Sequence, residues 1–506
     1  MLDLKITNGR ILDGTGAPWF RADVGVRGDT IVAIGDLATE PAKNTIDAQG
    51  RIVSPGFIDL LGQDENAVFR DPHLEAKIRQ GVTTELSGEG SSPRPSLRDF
   101  FDHLRKSGSA VNFAMLVGAS NPREMVIGNV NRQPTAQEMA EMEKIVDQEM
   151  RNGAVGISTS LIYLPAMYST TEEIINLARV AAKYGGVYFT HMRDEGDKID
   201  MGLDEAFRIG REANIPVNLW HLKVGGRTNW GRMPHVIERI NAARAEGLDV
   251  AANVYPYAAS ATGLSTLIPD WALEGGYTEM QKRLADPPQR ARIAEALRNQ
   301  SEKRGERGIY VTRIENPALA PFEKKFIEQI AADMNQPVEE ALMKLFAETP
   351  FTPSVIFFSM NEDDVKFALR QPFVSVGSDS GAPSPEQRAK NVAVHPRAYG
   401  TSPRVAGHYV RDEKLFTLEE AVRKMTSQAA DRIRVADRGI LRPGMKADII
   451  VFDENAVRDL ATYEQPNQFS EGISSVVVNG EIVLRDGVMT NALPGRPIRG
   501  RGYEQR

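Results

Sequence analysis

The chain has no cysteine among its 506 residues. Disulfide bonds, thiolate nucleophiles and cysteine-based zinc sites are therefore excluded. Only seven histidines are present, few enough for each to be considered individually. No apolar run approaches the ~20 residues that a membrane-spanning helix needs, so we expect no membrane association.

An excess of positive charge is also missing. Lys and Arg number 61 and Asp and Glu number 68, which gives a formal net charge of −7. Without a basic face for phosphate backbones, we expect a small-molecule partner and no nucleic acid. The oligomeric state stays open, a homo-oligomer included. The amino terminus, MLDLKITNGR, lacks the basic start and long apolar stretch of a signal peptide, which predicts a cytoplasmic protein.

Short β-rich segments separated by turns occur at both ends of the chain. Residues 4–7, 23–26 and 30–34 alternate apolar and polar side chains, and residues 447–452, 474–478 and 481–484 are rich in side chains that favour strands. Asn479-Gly480 is a strong hairpin signal between the last two. Neither set is large enough for a core of its own. We therefore predict one small β-sandwich domain built from residues 1–55 and 438–490, followed by a surface tail over 491–506.

The middle of the chain alternates β-rich runs with helical patterns, as parallel strands with crossover helices do. Eight strands are expected, which is the number that a closed (β/α)₈ barrel requires. They cover residues 52–59, 82–87, 111–117, 154–159, 187–191, 217–221, 250–255 and 373–379. The gap before the last strand is too long for one crossover. The predicted fold class is α/β: a distorted TIM barrel over 56–437 with an insertion at about 268–350.

Polar residues stand where such a barrel carries chemistry, at the carboxyl ends of its strands. They are Glu89, His191, His221 and Asp379. Two imidazoles and a carboxylate suit zinc, which lowers the pKa of bound water to about 7 and polarises a carbonyl. Asp379 could then move the proton to a leaving amine. Residue type alone leaves a second interpretation open, in which these histidines are hydrogen-bonded packing residues.

At these residues the chain resembles the amidohydrolase superfamily, and most closely the N-acyl-D-amino-acid deacylases, or D-aminoacylases. The resemblance runs along nearly the whole length and keeps the family's order. The blocks that carry it are DAQGRIVSPGFID, GVTTELSGEG, THMRDEGD, HLKVGG, VYPYAASATGL, VGSDSGAP, HPRAYGTSPRV and DRGILRPGMKADIIVFD. The resemblance implies a metal-dependent hydrolase of carbon–nitrogen bonds other than peptide bonds.

Roles for individual residues follow from the same resemblance. His191 and His221 correspond to metal ligands, and Glu89 falls at or next to a position where the family usually has cysteine, with Gly90 competing for that place. Asp379 corresponds to the catalytic aspartate. The other implied roles are binding of the substrate carboxylate by Lys223 and Arg397, lining of the site by Tyr163, and polarisation of the scissile carbonyl by Tyr255, with Tyr257 as the alternative.

The chain departs from the superfamily at the end of strand one, where His-x-His is usual. Leu61-Gly62-Gln63 stands there instead. Leucine cannot ligate a metal, and a glutamine carbonyl is a poor zinc ligand. We therefore expect at most one divalent ion per chain, most simply Zn²⁺, held by Glu89, His191 and His221. Gln63 is expected to hydrogen-bond substrate.

The leading hypothesis is hydrolysis of the amide bond of an N-acyl amino acid by metal-activated water, with the D configuration suggested by the resemblance alone. One alternative keeps the site but acts on cyclic amides, lactones or other acyl substrates. Another is a non-catalytic binding protein descended from the enzyme, which the missing histidines favour and the four polar residues oppose.

Overall fold

Three separate sheets form in the computed structural model, which describes residues 1–504. The strands are β1 (Leu2–Ile11), β2 (Phe20–Arg27), β3 (Thr30–Gly35), β4 (Ala42–Asp47), β5 (Ile52–Pro55), β6 (Phe57–Asp59), β7 (Val82–Ser87), β8 (Asn112–Gly118), β9 (Gly156–Ser160), β10 (Val187–His191), β11 (Val217–Leu219), β12 (Val250–Val254), β13 (Ser260–Gly263), β14 (Ile309–Arg313), β15 (Lys325–Phe326), β16 (Ser354–Phe357), β17 (Val374–Val376), β18 (Ile449–Phe452), β19 (Ile473–Val478), β20 (Glu481–Arg485), β21 (Val488–Met489) and β22 (Pro497–Ile498).

Helices separate most of the strands. They are α1 (Glu75–Ile78), α2 (Leu97–Ser107), α3 (Ser120–Val126), α4 (Ala136–Asn152), α5 (Thr171–Lys183), α6 (Ile199–Ala213), α7 (Met233–Ala245), α8 (Asp270–Leu273), α9 (Tyr277–Ala285), α10 (Pro287–Arg304), α11 (Ile327–Asp333), α12 (Val338–Ala347), α13 (Glu362–Leu369), α14 (Pro385–Ala389), α15 (Arg397–Arg404), α16 (Leu418–Met425) and α17 (Ser427–Arg432).

Strands from both ends of the chain share one nine-stranded sheet. Its order is β21-β20-β19-β18-β5-β1-β2-β3, and β4 also pairs with β1. Because β1 pairs with β2, β4 and β5, the sheet folds around a core that includes Ile6, Val26 and Ile449. The turn between β19 and β20 has positive φ at both Asn479 and Gly480, as a two-residue hairpin with the right-handed strand twist requires.

Eight parallel strands form the barrel in the order β17-β12-β11-β10-β9-β8-β7-β6. The barrel predicted from the alternating pattern is confirmed. The prediction of one strand over 52–59 is wrong. Strand β5 pairs with β1 and β18 in the sheet built from both ends of the chain, and only β6 pairs in the barrel. The chain changes sheets at Gly56, where a Cβ atom would lie 2.2 Å from Thr83 Oγ1.

The interior of the barrel is filled with large apolar side chains. Trp220 is fully buried and donates a hydrogen bond from Nε1 to the Leu60 carbonyl across the barrel, at 2.9 Å. Phe189, Leu61 and Leu86 belong to the same core cluster. This filling leaves the carboxyl ends of the strands as the place where a site can open.

The insertion is a separate module with its own core. Its sheet has the order β13-β16-β14-β15, and α8–α12 pack a cluster that contains Leu264, Met280 and Phe346. The module spans about residues 260–357, which is wider than the predicted 268–350. The difference arises because β13 and β16, at its two ends, pair with each other.

The tail is not confined to the surface. Strand β22 adds to β8 in parallel, and Ile498 is buried among the barrel core residues. The prediction of a surface tail is wrong here because Ile498 gains an apolar environment beside β8. Residues 505 and 506 lie outside the described part. Among the described residues, no helix has the length and apolarity that crossing a bilayer demands.

Closure between the first and last barrel strands depends on a buried cluster of charges. The Ser378 amide and hydroxyl both donate to Asp59, at 2.7 and 2.5 Å. The Lys77 ammonium lies 2.7 Å from Asp59 and 3.7 Å from both Asp64 and Glu85. Burial and the Asp64 carboxylate raise the pKa of Glu85 well above its usual range, so Lys77 compensates a group of acids that cannot all be ionised.

Replacing this lysine should destabilise the fold. In Lys77→Met the buried Asp59 carboxylate loses its cation, and loss of one partner of a buried ion pair costs about 3–5 kcal/mol. Urea unfolding should show this loss. Lys390→Met, which removes an exposed i,i+4 partner of Glu386, is the control and should change stability little. Equal losses of stability in the two variants would contradict the role of Lys77 as the cation that compensates these buried acids.

Candidate active site

The carboxyl ends of β7, β10 and β11 bring Glu89, His191 and His221 together. Glu89 Oε1 lies 3.3 Å from His191 Nδ1 and 3.5 Å from His221 Nε2. Tetrahedral zinc with bonds of about 2.0–2.1 Å needs ligand atoms about 3.3–3.4 Å apart. These separations fit that requirement. The three side chains that the sequence analysis selected as ligands are therefore placed as a metal site needs.

The structure shows which of Glu89 and Gly90 faces the two histidines. The Glu89 side chain reaches both imidazoles, whereas Gly90 has a φ of +67° and a Cβ atom there would lie 2.7 Å from Ser160. Position 90 thus disfavours any side chain, since positive φ strains residues other than glycine. The carboxylate at position 89 is the group that faces the histidines.

Electrostatics in the cluster favour an ionised Glu89. Although burial raises the pKa of Glu89, hydrogen bonds with His191 and His221 hold it well below its usual range. Burial lowers the pKa of His191. Burial and the Lys223 ammonium lower the pKa of His221, but Glu195 and Asp379 outweigh them and raise it to about 9. Binding of a metal near neutral pH would therefore release a proton from His221.

Glu195 is a site residue that the sequence analysis missed. Its Oε2 lies 3.2 Å from His191 Nε2 and its Oε1 lies 3.0 Å from His221 Nδ1. These are the ring nitrogens that face away from Glu89, so one carboxylate fixes the orientation of both imidazoles. The THMRDEGD block contains Asp194, Glu195 and Asp197 within four positions, and only the folded loop shows which acid turns inward.

Lys223 lies beside this carboxylate. Its Nζ is 2.6 Å from Glu195 Oε2 and 2.7 Å from His221 Nδ1. A metal on Nε2 would leave the proton of a neutral imidazole on Nδ1. We therefore infer that the Nδ1–H group donates a hydrogen bond to the Glu195 carboxylate and that the Lys223 ammonium pairs with the same carboxylate. Lys223 is thus already paired in the absence of a substrate.

Asp379 and Glu195 line the same cavity. Its Oδ2 is 2.7 Å from Arg397, and its Oδ1 accepts a hydrogen bond from Gln63 Nε2 at 3.1 Å. Burial raises the pKa of Asp379 above its usual range. Both Asp379 and His221 have positive φ, at +52° and +36°. Such strained conformations concentrate at functional sites.

The two predicted tyrosines have different positions. The Tyr163 hydroxyl shares a hydrogen bond with Thr262 at 2.7 Å, and its ring packs edge-on against His191 beside the cavity. Tyr255 is fully buried, and its hydroxyl faces the Met360 sulfur. Its ring lies 4.6 Å beneath the Arg397 guanidinium. Tyr255 therefore contacts Arg397 and is not part of the cavity wall.

Arg397 is held from several directions. Its backbone N–H donates to His395 Nδ1 at 3.0 Å, and His395 Nε2 contacts the Ala259 carbonyl at 3.0 Å. One guanidinium nitrogen donates to the Ala261 carbonyl at 3.3 Å. The buried arginine therefore faces Asp379 in a fixed orientation, and His395 is one of the groups that fix it.

A cavity of about 1060 Å³ opens at the carboxyl ends of the barrel strands. Gln63 and Asp379 from the barrel line one part of it, and the insertion module lines another part with apolar side chains such as Leu273 and with charged ones such as Lys303 and Arg304. Charged and apolar side chains therefore line the cavity on both the barrel side and the module side. A concave site that combines apolar walls with a few charged groups is typical of small-molecule binding.

Comparison with known proteins agrees with this geometry. Residues 373–484 match the amidohydrolase family. The chain is 37% identical to D-aminoacylase of Alcaligenes xylosoxydans xylosoxydans, over 98% of this chain and 97% of the relative. The chain belongs to the D-aminoacylase family of amidohydrolases. The family resemblance identified from the sequence is therefore confirmed.

Solved structures of the family match over the full length. A D-aminoacylase structure, described as having a binuclear metal centre with one-metal activation and second-metal attenuation, has a TM-score of 0.84 at 36% identity and covers 98% of this chain and 99% of its own. N-acyl-D-glutamate deacylase of Bordetella bronchiseptica, complexed with zinc and a phosphonate inhibitor, has a TM-score of 0.84 at 34% identity and covers 99% of this chain and 100% of its own. Homologous structures thus bind zinc in a metal centre.

Replacing the Glu195 carboxylate should weaken metal binding. In Glu195→Gln the imidazoles lose the charged acceptor of both outer N–H groups, and loss of such partners typically costs 10–100-fold in metal affinity, so we expect a zinc dissociation constant about 10- to 100-fold higher. Competition with a chelating dye measures it. Glu212→Gln changes an exposed acid on α6 and should bind zinc as the wild type does. An unchanged constant in Glu195→Gln would refute this role.

Proposed function

We propose that this chain is a metal-dependent deacylase of N-acyl-D-amino acids. The observation that carries the proposal is the placement of Glu89 Oε1 3.3 and 3.5 Å from ring nitrogens of His191 and His221, with Asp379 lining the same cavity. Membership of the D-aminoacylase family supports the substrate class. The D configuration rests on the named relatives.

One ion per chain, most simply Zn²⁺, would be held by Glu89 Oε1, His191 Nδ1 and His221 Nε2. When bound, such an ion supplies Lewis acidity, which lowers the pKa of a water molecule and polarises a carbonyl. Leu61 offers no ligand atom and the Gln63 carbonyl is a poor zinc ligand, which supports the single ion.

Asp379 moves the proton in the proposed reaction. It accepts a proton from the attacking water and delivers it to the departing nitrogen as the carbon–nitrogen bond breaks. Its raised pKa makes it a better acid for the second transfer than an ordinary aspartate. Arg397 holds one carboxylate oxygen, and Gln63 holds the other, so the orientation of the carboxylate is fixed.

Lys223 and Arg397 are the cations available to a substrate carboxylate. Lys223 lines the cavity, whereas Arg397 lies behind Asp379. We therefore propose that Lys223 takes the larger part in binding the substrate carboxylate, in exchange for part of its contact with Glu195. Arg397 orients Asp379 and adds positive charge, and Tyr255 supports it from below.

A hydrolysis panel tests the proposal. N-acyl-D-amino acids should be hydrolysed faster than their L counterparts and faster than neutral amides, because only a free carboxylate can pair with Lys223. A chelator should abolish turnover, and added zinc should restore it. Liberated amine is the measurement. Equal kcat/KM values for neutral and carboxylate-bearing amides, or turnover that a chelator leaves intact, would contradict the assignment.

Asp379→Asn should separate proton transfer from metal binding. The variant keeps an oxygen for Arg397 but loses the basic group, so kcat should fall by about 10²- to 10⁴-fold while metal content stays the same. A base must be ionised, and the wild-type rate should therefore fall as the pH drops through the raised pKa of Asp379. The variant should lack this acid limb.

Asp486→Asn, at an exposed turn, serves as the control for this substitution and should behave as the wild type. A rate for Asp379→Asn within threefold of that control would place the proton transfer elsewhere.

A further inference from the structure

The Gln63 side-chain amide bridges two carboxylates that line the cavity. Its Nε2 lies 3.0 Å from Glu89 Oε2 and 3.1 Å from Asp379 Oδ1. A primary amide nitrogen carries two hydrogens, so it can donate to both carboxylates at once. Only the amide oxygen of Gln63 is left to accept a hydrogen bond from a substrate.

The other oxygen of each carboxylate already has a partner. Glu89 Oε1 faces the two imidazoles, and Asp379 Oδ2 faces Arg397. The remaining oxygens converge on the same nitrogen of Gln63. Two ionised carboxylates that converge on one point repel each other unless a cation or a hydrogen-bond donor lies between them. Gln63 supplies donors there without supplying charge.

The backbone around Gln63 is fixed by its neighbours. A Cβ atom on Gly62 would lie 2.5 Å from the Glu85 carboxylate, so no larger residue fits there. Leu61 is fully buried in the barrel core. The Asp64 amide donates to Glu85 Oε1 at 3.3 Å. The segment therefore presents one side chain, Gln63, to the two carboxylates.

We propose that Gln63 is a positioning residue that fills, with two N–H groups, the place between Glu89 and Asp379 that a second cation would otherwise take. The amide holds the two carboxylates in register and limits the site to one ion. This inference rests on the proposed metal-dependent function. It adds a second role to the expectation that Gln63 hydrogen-bonds substrate.

Zinc titration of purified variants tests the inference. The wild type should hold one tightly bound zinc per chain. Gln63→Glu puts a third carboxylate beside Glu89 and Asp379 and should bind two zinc ions per chain in excess zinc. Gln63→Leu removes the donors at similar size and should hold one zinc with a dissociation constant raised about 10- to 100-fold. Gln148→Glu makes the same change on the exposed face of α4 and should match the wild type.

Elemental analysis gives the count, dye competition gives the affinity, and thermal unfolding shows that each variant is folded. One zinc in folded Gln63→Glu overturns the inference. Unchanged zinc affinity in Gln63→Leu overturns it as well, even if Gln63→Glu fails to fold. Two ions in the wild type would overturn this inference and leave the hydrolase intact, whereas no ion would overturn the hydrolase itself.

Discussion

Compensation of buried negative charge governs the mouth of this barrel. Glu89, Glu195 and Asp379 lie around one cavity, and each carboxylate faces donors on more than one side. Glu89 and Glu195 contact different nitrogens of the same two imidazoles, so each ring is held between two carboxylates. Because an unpaired buried charge is costly, these contacts leave the side chains little freedom, and the proposed ligand atoms are held in place by contacts within the protein.

A second group of buried carboxylates, where the first and last barrel strands meet, is also compensated by a cation. Asp59, Asp64 and Glu85 are fully or nearly fully buried where the first and last strands meet, and Lys77 is their common cation. The Glu85 carboxylate also occupies the space beside Gly62, which fixes the backbone that carries Gln63. Barrel closure and the geometry of the site are therefore coupled through one short segment. Positions 61 and 63 hold no histidine, and Gln63 instead donates hydrogen bonds to Glu89 and Asp379.

Much of this site could be predicted because a barrel places the ends of its strands together. Glu89, His191, His221 and Asp379 each follow a strand that the alternating pattern identified, and their types suit a metal hydrolase. Tyr255 shows the limit of that reasoning. Its position after β12 is compatible with a place in the cavity, but its ring lies under Arg397 and its hydroxyl points to Met360. Strand position fixes which edge a residue occupies, whereas the packing of neighbours decides where its side chain points.

The amino-acid sequence alone determined the order of strands and helices, the family and the lack of ligands in Leu61-Gly62-Gln63, since these depend on local pattern and residue type. Only the tertiary structure decided that Glu195 faces the imidazoles and that Gln63 links Glu89 to Asp379. Gln63 and Asp379 are 316 positions apart, and no local periodicity reports a distance between them. Their contact exists because the barrel closes, and closure is a property of all eight strands together.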